Sequence, residues 1–289
     1  MKTNDSTLKL IFIAVFALST MGLVPVLVNM VAANEITIGI ARLSIGALGI
    51  AVIAYFKRQQ LLQKENLKWL FLLGFVFAVH WYTYFKALKM ATPSLGAIGI
   101  STFGIHLLFL NRFFFGQKLQ LADFIAVAAA FGGVLLATPN LQIAPDHFYG
   151  FLWAIFSGFL YALLPIINRK ANHLTTEQKA FGQFGFGLLF FIWFIPWGNW
   201  QLSQFDWFGL FILGALCTLV SHTLWVKVSS ELPSTITATV YYIYVPVAIL
   251  YSYLFIGEEL TVGKLAGAGL IIAANVAVVL LHQRDSKKS

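Results

Sequence analysis

Three histidines and one arginine stand inside otherwise apolar runs of this 289-residue chain, and they offer the most chemistry. An unperturbed histidine titrates near pH 6.5, so His80, His106 and His222 could each carry a proton or bond a ligand. The plainer alternative for each is a neutral imidazole bonded within a helix bundle. Arg42 has a planar guanidinium that can grip a carboxylate through two parallel hydrogen bonds. It could equally bond carbonyl groups of a neighbouring helix. Side chains with an apolar body and one polar tip lie beside these residues at helical spacing. His80 and Tyr84 are four apart, with Trp81 alongside; Thr218 and His222, and Ser221 and Trp225, share that spacing. Thr237, Tyr241, Tyr244 and Tyr251 fall near one face, with Tyr242 next to it. Together with Tyr161, these aromatics suit a cavity for a flat, partly apolar ligand. Ordinary helix packing is the competing reading.

The acids inform by their position. All eleven Asp and Glu residues fall in polar breaks or at the ends of apolar runs. A carboxylate in mid-membrane is the usual relay for protons or sodium. Its absence argues against carboxylate coupling and against a pocket for multiply charged cations. Facilitated transport, exchange or proton coupling through histidine is left. The single cysteine, Cys217, permits no internal disulfide, and no Cys/His cluster marks a metal. No cofactor is expected. His-Glu-x-x-His, Gly-x-Ser-x-Gly and a phosphate-binding glycine loop are all missing, which leaves an intramembrane enzyme or a passive channel as the weaker classes.

The elements that must position these residues follow from composition. Hydrophobic residues make up 59% of the chain and charged ones 10%, with a mean hydropathy of +0.81. Soluble domains carry about 25% charge, so the apolar exterior must face lipid. Ten apolar runs are long enough for helical spans, at 9–29, 36–56, 68–88, 94–114, 121–138, 149–168, 179–198, 207–227, 234–256 and 263–282. The first is read as a retained helix. The net charge of +8 comes from loop residues and forms no basic face, so nucleic acid is excluded as a partner. With the N-terminus in the cytoplasm, fifteen Lys and Arg fall inside and only Lys86, Lys89 and Lys264 outside. This bias places both termini in the cytoplasm. Lys86 and Lys89 are expected to snorkel toward the outer surface.

The chain also repeats itself. Leu73-Gly74 through Pro93-Ser94 matches Leu213-Gly214 through Pro233-Ser234 at an offset of 140. Phe113 through Leu119 matches Leu254 through Leu260 at an offset of 141. Ala14 and Pro25 pair with Ala154 and Pro165, which suggests matched pivots in the first and sixth spans. Residues 1–140 and 141–289 thus read as two five-helix halves. Because five is odd, the halves must insert in opposite senses, the arrangement that supports alternating access. The expected fold class is an all-α membrane protein of ten transmembrane helices in two inverted five-helix repeats.

The passages Leu72-Leu-Gly-Phe75, Tyr84 through Ser94, Phe115-Gly-Gln-Lys-Leu119 and Gly132 through Ala137 resemble the EamA family of the drug/metabolite transporter superfamily. Leu232-Pro-Ser234, Val245-Pro246, Phe255 through Leu260 and Gly267 through Leu270 repeat the pattern, and Ala41-Arg42-Leu43 is similar too. The chain departs from it at Gln117-Lys118, where the family has an acidic turn. The resemblance implies a central cavity and an exporter or exchanger of amino acids, nucleosides or similar metabolites. The expectation is a carrier in the cell's inner membrane, monomeric or weakly dimeric, with lipid and a small amino-acid-like or aromatic metabolite as its partners.

Overall fold

The computed structural model describes residues 2–117, 121–137, 144–232, 237 and 240–285, and the described residues are almost wholly helical. Among the described residues seven stretches are long and apolar enough to cross a membrane: Thr7–Met30, Glu35–Phe56, Lys64–Met90, Pro93–Phe115, Pro145–Lys170, Thr176–Trp197 and Gln204–Glu231. Each lies on one of the expected runs. The runs at 121–138, 234–256 and 263–282 carry helices Leu121–Ala137, Tyr244–Ile256 and Val262–Asp285. Large apolar side chains, Phe12, Leu48, Phe71, Phe113 and Trp193 among them, are exposed on the exterior. A soluble protein could not sustain that surface, and a bilayer satisfies it.

The chain order is α1 (Lys2–Met21), α2 (Leu23–Met30), α3 (Glu35–Phe56), α4 (Leu67–Met90), α5 (Pro93–Ile100), α6 (Phe103–Phe115), α7 (Leu121–Ala137) and α8 (Pro145–Lys170). Then follow α9 (Thr176–Phe181), α10 (Gly187–Phe191), α11 (Gln204–Ile212), α12 (Thr223–Glu231), α13 (Tyr244–Ile256) and α14 (Val262–Asp285). Two π-helical segments, Gly182–Phe186 and Leu213–His222, interrupt the seventh and eighth runs. The ends are built from local chemistry. Asn34 accepts from the Thr37 N–H, and Thr175 and Ser203 form capping boxes with Gln178 and Asp206. The α4–α8 and α7–α14 pairs make the most extensive contacts.

The duplication seen in sequence recurs in the backbone. The break at Ser101–Thr102 between α5 and α6 returns at Tyr242–Ile243, 141 residues later. α6 ends on Gly116 at φ 66° and α13 on Gly257 at φ 64°, again 141 apart. Both are left-handed caps, a conformation that costs glycine nothing.

The loops sort to two ends. At one, the Ala32 N–H donates to Asp206 Oδ1 at 2.8 Å, Asn34 donates to the Trp197 carbonyl at 2.8 Å, and Lys89 donates to the Val31 carbonyl. At the other, Lys57 pairs with Glu177 at 2.6 Å and Gln178 donates to the Gln60 carbonyl at 3.0 Å.

Glu258, just past the Gly257 cap, ties α5 to α13 and α14. It accepts from the Ser94 N–H at 3.1 Å, from the Ser252 hydroxyl and from Lys264 at 2.7 Å. Burial pushes its carboxyl up, but Lys264 and the Ser252, Thr92 and Ser94 donors outweigh that and hold it below the ordinary 4.5. A depressed value contributes stability above the ordinary range, lost as pH falls through the folded value. Melting temperature should therefore drop more steeply below about pH 4.5 in the native chain than in Glu258→Gln. Parallel melting curves between pH 3.5 and 7 would show that the carboxylate contributes nothing.

Candidate functional site

The polar residues of the spans converge near the Ser101–Thr102 and Tyr242–Ile243 breaks. Arg42 comes from α3, His80, Trp81, Tyr84 and Phe85 from α4, and Tyr161 from α8. His222 closes the π-helical segment before α12, and Tyr241 and Tyr244 stand on either side of the second break. With Met21, Val24 and Ile100 they enclose a cavity of about 30 Å³. That is room for a water molecule or two, whereas ligand pockets run to about 300–1,000 Å³. The cleft is therefore shut around its own side chains.

Most of the polar groups are held by hydrogen bonds. The Arg42 Nε–H donates to Thr218 Oγ1 at 2.9 Å, and its guanidinium carbon lies 4.2 Å from the Trp81 ring centroid and 5.2 Å from that of Phe85. Thr218 can accept because its own proton goes to the Leu213 carbonyl at 2.8 Å, five residues back. That bond follows the wide turn of the π-helix. Arg42 Nη1 is buried without a hydrogen-bond partner. The Ser157 hydroxyl donates to the His80 carbonyl at 3.0 Å. Its one proton is thereby used, so the 2.7 Å contact between His80 Nδ1 and Ser157 Oγ has the imidazole as donor. A neutral His80 then presents Nε2 as an acceptor. His222 Nε2 donates to Gln183 Oε1 at 3.0 Å, joining the two π-helical segments. The Tyr84 and Tyr244 hydroxyls bond each other at 2.5 Å. Aromatic rings fill the rest: Tyr161 stacks on His80 at 4.6 Å, and Tyr241 lies 4.6 Å from Phe103.

Seven of the ten expected site residues thus line one cavity: Arg42, His80, Trp81, Tyr84, Tyr161, His222 and Tyr241. Trp225 stands behind Tyr241 at 5.6 Å. The structure places the other two elsewhere. His106 bonds Thr102 at 3.3 Å and meets Phe159 edge-on at 5.6 Å. Tyr242 belongs to a separate apolar cluster with Val245, Ile249 and Ile271. Sequence reasoning missed Met21, Val24, Phe85 and Ile100, which carry no polar signal. It also missed Ser157 and Gln183, whose polarity inside apolar runs was a usable one. Of the two lysines expected to snorkel, Lys89 reaches the Val31 carbonyl, and Lys86 lies 5.5 Å from the Trp153 ring.

Among the described residues no acidic side chain lines the cavity. Among the described residues no cluster of His, Cys, Asp or Glu could hold a metal. A larger groove, about 670 Å³, lies between Ile36, the Phe75–Tyr82 stretch and the Phe190–Trp197 stretch. Its walls are nearly all apolar, so it lacks groups that could orient a polar metabolite.

The described residues form a multi-pass helical bundle around a small cleft of aromatic and hydrogen-bonding side chains. The sequence profile of the EamA-like transporter family matches residues 6–138 and again 148–280, and the chain belongs to that family. The "Uncharacterized transporter YxxF" of Bacillus subtilis (strain 168) is 22% identical over 218 residues, 73% of this chain and 69% of the relative. A solved crystal structure 17% identical in sequence superposes with a TM-score of 0.70, covering 97% of this chain and 98% of that one. The superposition extends the likeness in fold over the whole length.

Proposed function

We propose that this protein is a secondary carrier that moves a small amino-acid-like or aromatic metabolite across the inner membrane by alternating access, as an exporter or exchanger. The observation that carries the reading is the shut cleft in mid-bundle, lined from both halves of the chain. Met21 and Tyr161 occupy corresponding positions 140 apart, Ile100 and Tyr241 positions 141 apart, and all four face it. Such pairing is what ten helices in two inverted five-helix repeats would produce around a shared site. Both termini would then be cytoplasmic, as the loop charges require. The matched loop positions Gln117 and Glu258 stand in different states, the first exposed and the second buried against α5.

Flux in proteoliposomes tests the reading. A carrier gives saturable uptake that rises when unlabelled substrate is loaded on the far side. Flux that rises linearly with concentration, with no trans-stimulation, identifies a channel, and a chemically altered ligand in the medium identifies an enzyme. Within the carrier reading, a flattened pH dependence of flux in His80→Gln is the result expected of an imidazole that carries the proton. A pH profile matching the native one removes His80 as the proton carrier.

A further inference from the structure

The cleft holds a buried cation with nothing to balance it. Arg42 is 3% exposed, and its only hydrogen bond among the described residues goes from Nε to the neutral Thr218 hydroxyl. Nη1 is buried and unpartnered. The two ion pairs among the described residues, Lys57–Glu177 and Lys264–Glu258, involve other cations. The other buried acid near the spans' ends, Asp206, is occupied by Ala32 and Ser203. A guanidinium has five N–H donors, and a buried charge left unpaired is costly unless function retains it.

We infer that the substrate is an aryl or arylalkyl monocarboxylate that carries no ammonium group. This narrows the carrier reading above and rests on it. Trp81 and Phe85 hold the guanidinium from the side and Thr218 fixes Nε, so the remaining N–H edge is set in orientation before a ligand arrives. A fixed planar edge suits a carboxylate taken through two parallel bonds. One arginine balances one negative charge, which disfavours a dianionic phosphate. The surrounding Tyr84, Tyr161, Tyr241 and Tyr244 rings supply an apolar wall for an aromatic body. An α-ammonium would enter a cleft that has one cation and no carboxylate, and would be repelled by Arg42. The zwitterionic amino acids are therefore poorer ligands than the matching acids.

The test uses the purified full chain and four probes of one shape: 3-phenylpropionate, 3-phenylpropanamide, 3-phenylpropylamine and L-phenylalanine. Binding is read by thermal shift and calorimetry. The carboxylate should bind tenfold or more tightly than the other three, and Arg42→Gln should lose that preference while Arg42→Lys keeps part of it. The inference is overturned if the amide, amine or zwitterion binds as well as the acid, or if none of the four binds. The probe comparison on the native protein stands whether or not the arginine variants fold. Saturable, trans-stimulated flux of a neutral or zwitterionic compound would sink the anion assignment and leave the carrier reading intact. Loss of trans-stimulation for every compound would sink the carrier reading itself.

Discussion

Tyr241→Ala should unfold a substantial fraction of the protein on mild heating, whereas Tyr241→Phe should keep the fold. Tyr241 is 1% exposed and is among the largest fully buried side chains. Its ring meets Phe103 at 4.6 Å, Trp225 at 5.6 Å, and Tyr161 and Tyr244 at 5.7 Å each. Inside a bilayer the transfer gain from water is absent, so what truncation removes is packing. Residual cavities cost about 24 cal/mol per Å³, so a hole on the order of 100 Å³ costs about 2–3 kcal/mol. Against total stabilities of about 5–15 kcal/mol that loss is large. Burial at the junction of the core rings makes Tyr241 part of the packing as well as of the cleft wall. The phenylalanine variant, not the alanine one, reports on binding. Melting curves of the two variants in one detergent decide the matter; an alanine variant that melts with the native protein would show that the junction collapses without cost.

The legibility of this molecule in its sequence follows from what lipid enforces. Span positions were readable because every run must be apolar for about 20 residues and the charges are confined between runs. For the seven spans found among the described residues the structure departs from that reading by a few residues at most, for example Glu35–Phe56 where 36–56 was expected. The breaks at Ser101–Thr102 and Tyr242–Ile243 were not readable. At the first, Ser101 Oγ donates to the Ile98 carbonyl and Thr102 Oγ1 to the Gly99 carbonyl, local bonds that compete with the helix but occur in many unbroken helices. The π-helical segments likewise depend on tertiary partners such as the Arg42–Thr218 and His222–Gln183 bonds.

The site was legible where polarity marked it. Arg42, His80, Tyr84 and His222 stood out because each sits in an apolar run, and the bundle gathers them. The same rule misplaced His106, since a span that is apolar all round gives no sign of which face turns inward. His106 lies on the side of α6 that meets Phe159, a residue itself 37% exposed. Met21, Val24, Phe85 and Ile100 complete the wall as apolar residues among apolar neighbours. Only three-dimensional packing distinguishes them from the lipid-facing phenylalanines.

Gly158→Leu should abolish binding and flux, and this residue carries no polarity at all. A Cβ at Gly158 would lie 2.9 Å from the Ile100 carbonyl oxygen, 3.0 Å from Thr102 Oγ1 and 3.3 Å from the Phe103 nitrogen. Two of those three atoms are backbone, so no rotamer change relieves the contact. Overpacking of this kind costs about 1–3 kcal/mol and sometimes more. The strain falls at the site, because Ile100 lines the cleft and Phe103 supports Tyr161 at 5.2 Å. On α8, Gly158 follows Ser157, which orients His80, and precedes Tyr161 by less than one turn. Pushing α8 from the α5–α6 break would therefore displace the ring stack and the imidazole together. Gly158→Ala should lower the melting temperature by less and weaken binding in proportion. Gly269→Leu provides the control, since a Cβ there meets nothing within 4 Å. If Gly158→Leu melted and transported like Gly269→Leu, close approach of α8 to the break would have no part in shaping the cleft.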